Sequence, residues 1–175
     1  LVSSYYFYMS AHASYIFLIL LTTAVSFCTA LLIEKTEEQK KKKLYMGIAL
    51  CVCLGLLFFF KYFNFLSSSV TAALSRFSIS MSPVTLKLVL PVGISFYTFQ
   101  TLGYVLDVYH GKIKACRNLG RYAAFVSFFP LLLAGPIERA EHLLPQMERE
   151  HSFDCEKGIR GAKLIAWGYF KKIAI

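Results

Sequence analysis

Residues 13–33 read ASYIFLILLTTAVSFCTALLI, a stretch of 21 residues without a charge. A helix of this length spans about 30 Å, which is the thickness of the hydrocarbon core of a bilayer. A short lysine-rich segment, residues 34–43, separates this stretch from a second uncharged run over residues 44–60. Because the Lys61 amine can reach back to the interface, the second helix is predicted to extend over residues 44–65. Both helices are predicted to cross a membrane.

The composition of the whole chain also indicates a membrane protein. Of its 175 residues, 57% are hydrophobic and 17% are charged, against roughly 45–50% and about 25% in soluble domains. The mean hydropathy is +0.54. The net charge of +9 comes from Lys and Arg at the ends of apolar runs, as is typical of membrane proteins rather than nucleic-acid surfaces. The composition therefore argues against a soluble enzyme, a disulfide-stabilised scaffold and a nucleic-acid partner.

A third apolar stretch, residues 88–108, is predicted to be a span that is not uniformly apolar. Pro91 and Gly93 interrupt its first turn, and polar side chains such as Gln100 follow. Polar groups and irregular backbone at membrane depth are tolerated where protein or a watery cavity covers them. We therefore expect this span to face other helices rather than lipid.

Two later segments are predicted to meet the membrane without crossing it. Residues 122–137 are apolar but number only 16, with Pro130 in their middle, which is short for a crossing and typical of a re-entrant segment. Residues 153–175 have the pattern of an amphipathic, interfacial helix, or of the entry to another span. The predicted fold class is all-α, a polytopic transmembrane protein with re-entrant segments.

The distribution of basic residues predicts the orientation of these spans. Lys and Arg are most frequent in the segments 34–43 and 110–121, with five and four respectively. The positive-inside rule places both segments in the cytoplasm and the polar residues 67–87 on the opposite side. Residues 67–83 are interpreted as a loop with a possible interfacial helix. A re-entrant segment at 122–137 then keeps the charged residues 138–163 cytoplasmic.

Four side chains are candidates for a substrate tunnel or a donor-side site. Gln100 and Asp107 are seven residues apart and therefore share one face of a helix. Glu138 and Arg139 follow the turn at Gly135–Pro136, where a guanidinium can pair with a phosphate or an acyl donor. For Gln100, a hydrogen bond between helices is an equally good interpretation. For the other three, a helix end or an ordinary salt bridge is the favoured alternative.

The residues alone assign no catalytic group and no metal. The four histidines, His12, His110, His142 and His151, have neither metal-site spacing nor an HExxH motif. Glycine-rich phosphate loops and a GxSxG nucleophile elbow are absent from the sequence as well. The pattern of residues therefore predicts a membrane protein without identifying its reaction.

Five blocks of sequence together carry a resemblance to a known family. In order they are KYFNF (61–65), LPVGISFYTFQ (90–100), YVLDVYHG (104–111), RN with FVSFFP and AGPI (117–137), and LPQ with WG and FKK (144–172). They resemble the membrane-bound O-acyltransferase superfamily, in particular its bacterial branch similar to alginate O-acetyltransferase. The resemblance covers nearly the whole chain, and the second and fourth blocks are its most specific parts.

The resemblance implies the N-terminal portion of a larger, multi-pass enzyme of the bacterial cytoplasmic (inner) membrane. It implies no bound cofactor, and an acyl donor such as acetyl-CoA on the cytoplasmic side. The acceptor is an extracytoplasmic polysaccharide similar to alginate, and the partners are the lipid bilayer and an extracytoplasmic acetyltransferase. The family's first helix is expected before Leu1 and its catalytic histidine beyond Ile175, so residues 1–175 alone are expected to be inactive.

Two alternatives remain at this point. The same superfamily includes enzymes that act on teichoic acid or peptidoglycan, although the FYTFQ and DVYHG blocks fit the polysaccharide-acetylating branch better. A non-catalytic transporter or scaffold fragment is the other alternative. A transporter is expected to show an internal repeat with paired broken helices, and the sequence has no such repeat.

Overall fold

The computed structural model describes residues 1–11, 13–75, 91–132, 137–148, 152 and 154–174. Every regular element within these ranges is a helix, as predicted. The helices are α1 (Val2–Ala11), α2 (Ile16–Lys35), α3 (Gln39–Ser75), α4 (Ile94–Tyr109), α5 (Leu119–Val126), α6 (Phe129–Leu132), α7 (Ala140–Glu148) and α8 (Cys155–Ala174), with a short 3-10 turn at Ala13–Tyr15.

The two longest apolar helices follow each other directly. α2 and α3 are joined by the three residues Thr36–Glu38, and both are long and apolar enough to cross a membrane. α3 has 37 residues, which corresponds to about 55 Å. The hydrocarbon core is about 30 Å thick, so α3 is longer than a crossing requires. The predicted spans 13–33 and 44–65 fall on these two helices.

Two segments that the sequence indicated as loops belong to α3. The lysines at 40–43 lie in its first turns, where the Lys42 amide donates to the Glu38 carbonyl at 3.1 Å and Lys41 Nζ lies 3.0 Å from Glu38 Oε2. Residues 67–75, within the predicted loop 67–87, are also helical. Their hydroxyls return to their own helix, since Thr71 Oγ1 donates to the Ser67 carbonyl at 2.9 Å. The rest of that predicted loop lies outside the described residues.

The start of α4 is determined by a glycine. Gly93 has φ = +71°, in the left-handed region, and the helix begins at the next residue. A β-carbon at Gly93 would lie 2.5 Å from the carbonyl oxygen of Leu132, so only glycine fits between α4 and α6. The predicted break at Pro91 and Gly93 is confirmed. The helix is therefore shorter at its start than the predicted span 88–108, of which residues 88–90 lie outside the described ranges.

The predicted re-entrant segment 122–137 is not one continuous helix. α5 ends at Val126, and α6 begins at Phe129 with Pro130 as its second residue. Pro is favoured in the first turn of a helix because its missing N–H has no intrahelical partner there. Two short helices, neither of them long enough to cross a bilayer, therefore form residues 119–132. Residues 133–136 lie outside the described part of the chain.

The helix predicted for residues 153–175 is present as α8. Asp154 caps it, because its Oδ1 accepts hydrogen bonds from the amides of Glu156 and Lys157 at 3.0 and 3.2 Å. Large apolar side chains along α8, including Trp167, are exposed. Phe153 and Ile175 themselves are outside the described residues.

The core of the fold lies where α2 contacts α3, α4 and α5. The buried face of α2 includes Thr22, Thr23, Ser26 and Thr29, whose hydroxyls donate to carbonyls of their own helix. Small side chains of this kind let neighbouring helices approach closely within a membrane. The fully buried Tyr122 contacts this face through Ser26, and its ring lies 5.7 Å from that of Phe27.

Candidate functional site

The four candidate residues from the sequence line one cavity. Gln100, Asp107, Glu138 and Arg139 all border a space of about 430 Å³, here called the first cavity. One wall is the C-terminal half of α4 with the turn that follows it, and the other is the segment 137–140 that leads into α7. Residues separated by about 30 positions in sequence are thus brought to one site.

Gln100 borders the first cavity and also joins two helices. Its Nε2 donates a 3.1 Å hydrogen bond to the carbonyl of Phe125 near the end of α5. The Gln100 side chain is buried, so this bond satisfies a donor that would be costly to leave unpaired. Gln100 therefore makes the interhelical hydrogen bond and holds α5 beside the cavity; its role in a substrate tunnel stays a prediction.

Asp107 carries the negative charge on the α4 wall. Its Oδ1 lies 3.6 Å from Lys112 Nζ, and its side chain is 14% exposed while that of Lys112 is 56% exposed. The Lys112 amide also donates to the Asp107 carbonyl at 2.9 Å. The helix-end interpretation of Asp107 is thus correct in its local geometry, and the residue nevertheless borders the cavity.

Glu138 and Arg139 precede α7 on the opposite wall. Glu138 is half-buried and Arg139 is exposed. The Arg139 carbonyl accepts from the amides of His142 and Leu143 at 3.1 and 3.2 Å, so the backbone of Arg139 starts the helix. The guanidinium is not used for that purpose and is available to the cavity. The preceding turn at Gly135–Pro136 lies outside the described residues.

His110 and Lys112 also line the first cavity, although neither is among the four candidates from the sequence. Both follow α4 in a segment that reads as a solvated basic loop. The Nδ1 atom of His110 lies 2.8 Å from the carbonyl of Leu106. Because a carbonyl only accepts, this contact requires a proton on Nδ1. Only the fold of the turn brings these residues to the site.

A second cavity, of about 420 Å³, lies on the other side of the start of α7. Ala140 borders both cavities. Three basic side chains line the second cavity, those of Lys114, Arg117 and Arg121. The acidic residue on its wall is Glu141. The charged side chains of its lining are therefore mostly basic.

The segment between α4 and α5, which supplies basic residues to both cavities, is anchored at several points. The amide of Cys116 donates to the buried hydroxyl of Tyr104 at 2.8 Å. Asn118 caps α5, its Oδ1 accepting from the Arg121 amide at 3.0 Å. These bonds hold the backbone of the segment in place, so its basic side chains project from a fixed frame.

The arrangement suits the binding of a polar group more than metal chemistry. Lys112 and Arg139 present donors around the first cavity, beside the carboxylates of Asp107 and Glu138, and guanidinium and ammonium groups pair well with carboxylate or phosphate. Within the part of the chain that the structure describes, His, Cys, Asp and Glu form no cluster of three that could hold a metal ion.

Comparison with known proteins gives matches along the whole chain. It is 35% identical over 179 residues to "Probable alginate O-acetylase AlgI" of Azotobacter vinelandii and 36% identical over 180 residues to the protein of that name in Pseudomonas syringae pv. tomato. Both alignments cover all of this chain. A "Peptidoglycan O-acetyltransferase" of Helicobacter pylori is 28% identical over 201 residues, covering 99% of the chain. No protein-family model matches the chain, and no solved structure matches it.

The chain spans about a third of the length of these relatives, between 34% and 37%. Together with two helices apolar enough to cross a bilayer, the matches indicate a membrane location. The resemblance found in the sequence blocks is confirmed: over its whole length the chain is related to the alginate O-acetylases, the alginate-type branch of the membrane-bound O-acyltransferase superfamily.

Proposed function

We propose that this chain is part of a membrane O-acetyltransferase that modifies an extracytoplasmic polysaccharide similar to alginate. The observation that carries the proposal is the identity of about 35% to the alginate O-acetylases along the entire chain. The acetyl group comes from a cytoplasmic thioester, acetyl-CoA or a similar donor. The acceptor lies on the opposite side of the bilayer, and an extracytoplasmic acetyltransferase is a partner in the same modification.

The proposed setting is the bacterial inner membrane, which the protein crosses several times. α2 and α3 cross in opposite directions, since only Thr36–Glu38 connects them. α4 returns the chain to the cytoplasmic side, where the basic residues after it remain. α5 and α6 together enter the membrane and leave on the same side, because neither is long enough to cross and a break separates them.

In this orientation the first cavity opens toward the cytoplasm. Lys112 and Arg139 then meet a donor that carries negative charge, and the anchored turn after α4 keeps Lys112 in position. Gln100 holds α5 against α4 and thereby maintains the wall of the cavity. The first cavity is the donor-side site of the enzyme.

Deletion of the gene from its own bacterium tests this function. The O-acetyl content of the exported polysaccharide, measured by proton NMR after purification, should fall to background and return with the wild-type gene. Muramic-acid acetylation in the peptidoglycan should not change.

The alternative acceptor is peptidoglycan, which the name of the Helicobacter pylori relative specifies for that protein. The alginate-type relatives have the higher identity, at 35–36% against 28%, and therefore favour the polysaccharide. Loss of peptidoglycan acetylation with normal polysaccharide acetylation would reverse this preference.

A further inference from the structure

The second cavity has properties that the proposed function does not yet use. It holds three basic side chains against one acidic one, and it lies next to the first cavity with Ala140 in the wall of each. A positive concave surface raises the local concentration of an anionic ligand and orients it. The position beside the proposed donor site suggests that both cavities hold parts of one ligand.

The backbone that carries the basic residues of the second cavity is held in place by hydrogen bonds. Lys114 and Arg117 flank Cys116, whose amide is bound to the Tyr104 hydroxyl at 2.8 Å. The Cys116 thiol lies 3.4 Å from the Asn118 carbonyl, and the Asn118 side chain caps α5. Fixing the backbone lowers the entropy lost when the side chains close on a ligand. Such a frame is more than a solvated loop requires.

The neighbouring first cavity differs in charge. There Asp107 and Glu138 accompany Lys112 and Arg139, so that acidic and basic groups balance. A ligand with a strongly charged end and a weakly charged end therefore has a preferred direction: the charged end lies at Lys114 and Arg117, and the less charged end lies in the first cavity. A thioester carried on a phosphorylated pantetheine arm has this distribution of charge.

We propose that the second cavity binds the phosphate groups of the acyl donor while the acyl-bearing end of the same molecule lies in the first cavity. This inference rests on the proposed acetyltransferase function. Lys114 and Arg117 each supply a charge-assisted contact to phosphate oxygens. No bond is made or broken in this cavity, whose role is to hold and orient the donor.

The test compares two donors in membrane vesicles that contain the full-length enzyme. Acetyl-CoA carries all the phosphates, and acetyl-pantetheine keeps the thioester but carries none. Lys114→Gln and Arg117→Gln should each raise the KM for acetyl-CoA about tenfold, as expected for loss of one charged contact, and leave the KM for acetyl-pantetheine unchanged. Lys43→Gln removes an equally exposed charge from the start of α3 and should change neither KM.

The outcomes separate this inference from the function on which it depends. If the wild type acetylates polysaccharide from acetyl-CoA and both variants keep the wild-type KM, the second cavity does not bind donor phosphate. If the variants weaken both donors equally, the basic residues act without contacting phosphate, which also overturns the proposal. If the wild type uses neither donor, the proposed thioester donor itself is wrong.

Lipid headgroups carry phosphate too, and the same vesicles distinguish them. The increase in the KM for acetyl-CoA caused by Lys114→Gln or Arg117→Gln should be the same in vesicles of phosphatidylcholine alone and in vesicles that contain phosphatidylglycerol. If the variants lose rate with both donors, and only in vesicles that contain phosphatidylglycerol, the cavity binds anionic lipid and the proposal is overturned.

Discussion

The hydroxyl of Tyr122 donates a 2.7 Å hydrogen bond to the hydroxyl of Ser26, 96 residues earlier in the chain. Both side chains are fully buried, and the Ser26 hydroxyl donates a 2.6 Å hydrogen bond to the Thr22 carbonyl. The ring of Tyr122 lies 4.5 Å from that of Tyr104. This bond therefore connects α5 to α2, and the ring contact connects α5 to α4.

Replacing Tyr122 tests how much this connection contributes. Tyr122→Phe removes the bond and keeps the ring contacts, so we expect a loss of about 0.5–1 kcal/mol, as for other hydrogen bonds between membrane helices. Tyr122→Ala also empties the space of the ring and should cost about 3–5 kcal/mol. Thermal unfolding in detergent, followed by circular dichroism, measures both.

The matched control is Tyr6→Phe, because Tyr6 is 74% exposed and loses a hydroxyl without losing a buried partner. It should unfold as the wild type does. A Tyr122→Phe protein as unstable as Tyr122→Ala would contradict the packing described here.

Gly93 is predicted to tolerate no side chain. Gly93→Ala places a β-carbon 2.5 Å from the Leu132 carbonyl and puts alanine at φ = +71°. Backbone strain of this kind costs about 1–3 kcal/mol, and the midpoint of thermal unfolding should fall accordingly. Gly47→Ala, in the middle of helical backbone with nothing within 4 Å of the new methyl group, should be neutral or slightly stabilising. Equal midpoints for the two variants would argue against contact between α4 and α6.

The sequence predicted the long helices well because their signal is local. Uncharged runs of residues predicted α2 and the centre of α3. Pro91 and Gly93 correctly predicted the interruption before α4. Residues 67–75, interpreted as a loop with a possible helix, belong to α3 for a physical reason. Serine favours loops where its hydroxyl competes for the backbone, but here hydroxyls such as that of Thr71 bind carbonyls of their own helix.

The site was predictable in part for a related reason. Gln100 and Asp107 share a helix face, a periodicity that the sequence displays, and Arg139 follows a conspicuous turn. His110 and the second cavity were missed because they depend on long-range contacts. Nothing in the residues near Cys116 indicates that its amide binds the Tyr104 hydroxyl.

The orientation of α3 can be tested with single cysteines in a variant lacking the five native ones. Lys41 and Ser69, both exposed, lie near opposite ends of α3. In intact cells an impermeant maleimide should label Ser69→Cys and spare Lys41→Cys until the membrane is opened. The reverse pattern would invert the proposed topology, and labelling of both would mean that α3 does not cross.

Arg139 is predicted to serve the donor more than the fold. Its backbone starts α7 through its carbonyl, a role that alanine preserves, whereas its guanidinium borders the first cavity. Arg139→Ala should raise the KM for the acyl donor about tenfold, equivalent to roughly 1.4 kcal/mol, with little change in unfolding temperature. Arg139→Lys should restore only part of the loss, because lysine lacks the bidentate fork. An unfolding temperature that falls in step with activity would indicate a structural role instead.

In the proposed topology the chain from α5 to α7 returns to the cytoplasmic side, so that the first cavity meets a cytoplasmic donor. The most direct measurement is the location of a protease-cleavable tag inserted after Glu148, at the end of α7. In spheroplasts treated with external protease, we expect the tag to stay intact until the membrane is permeabilised. Cleavage in sealed spheroplasts would place α7 outside and contradict both the re-entrant segment and the role proposed for Arg139.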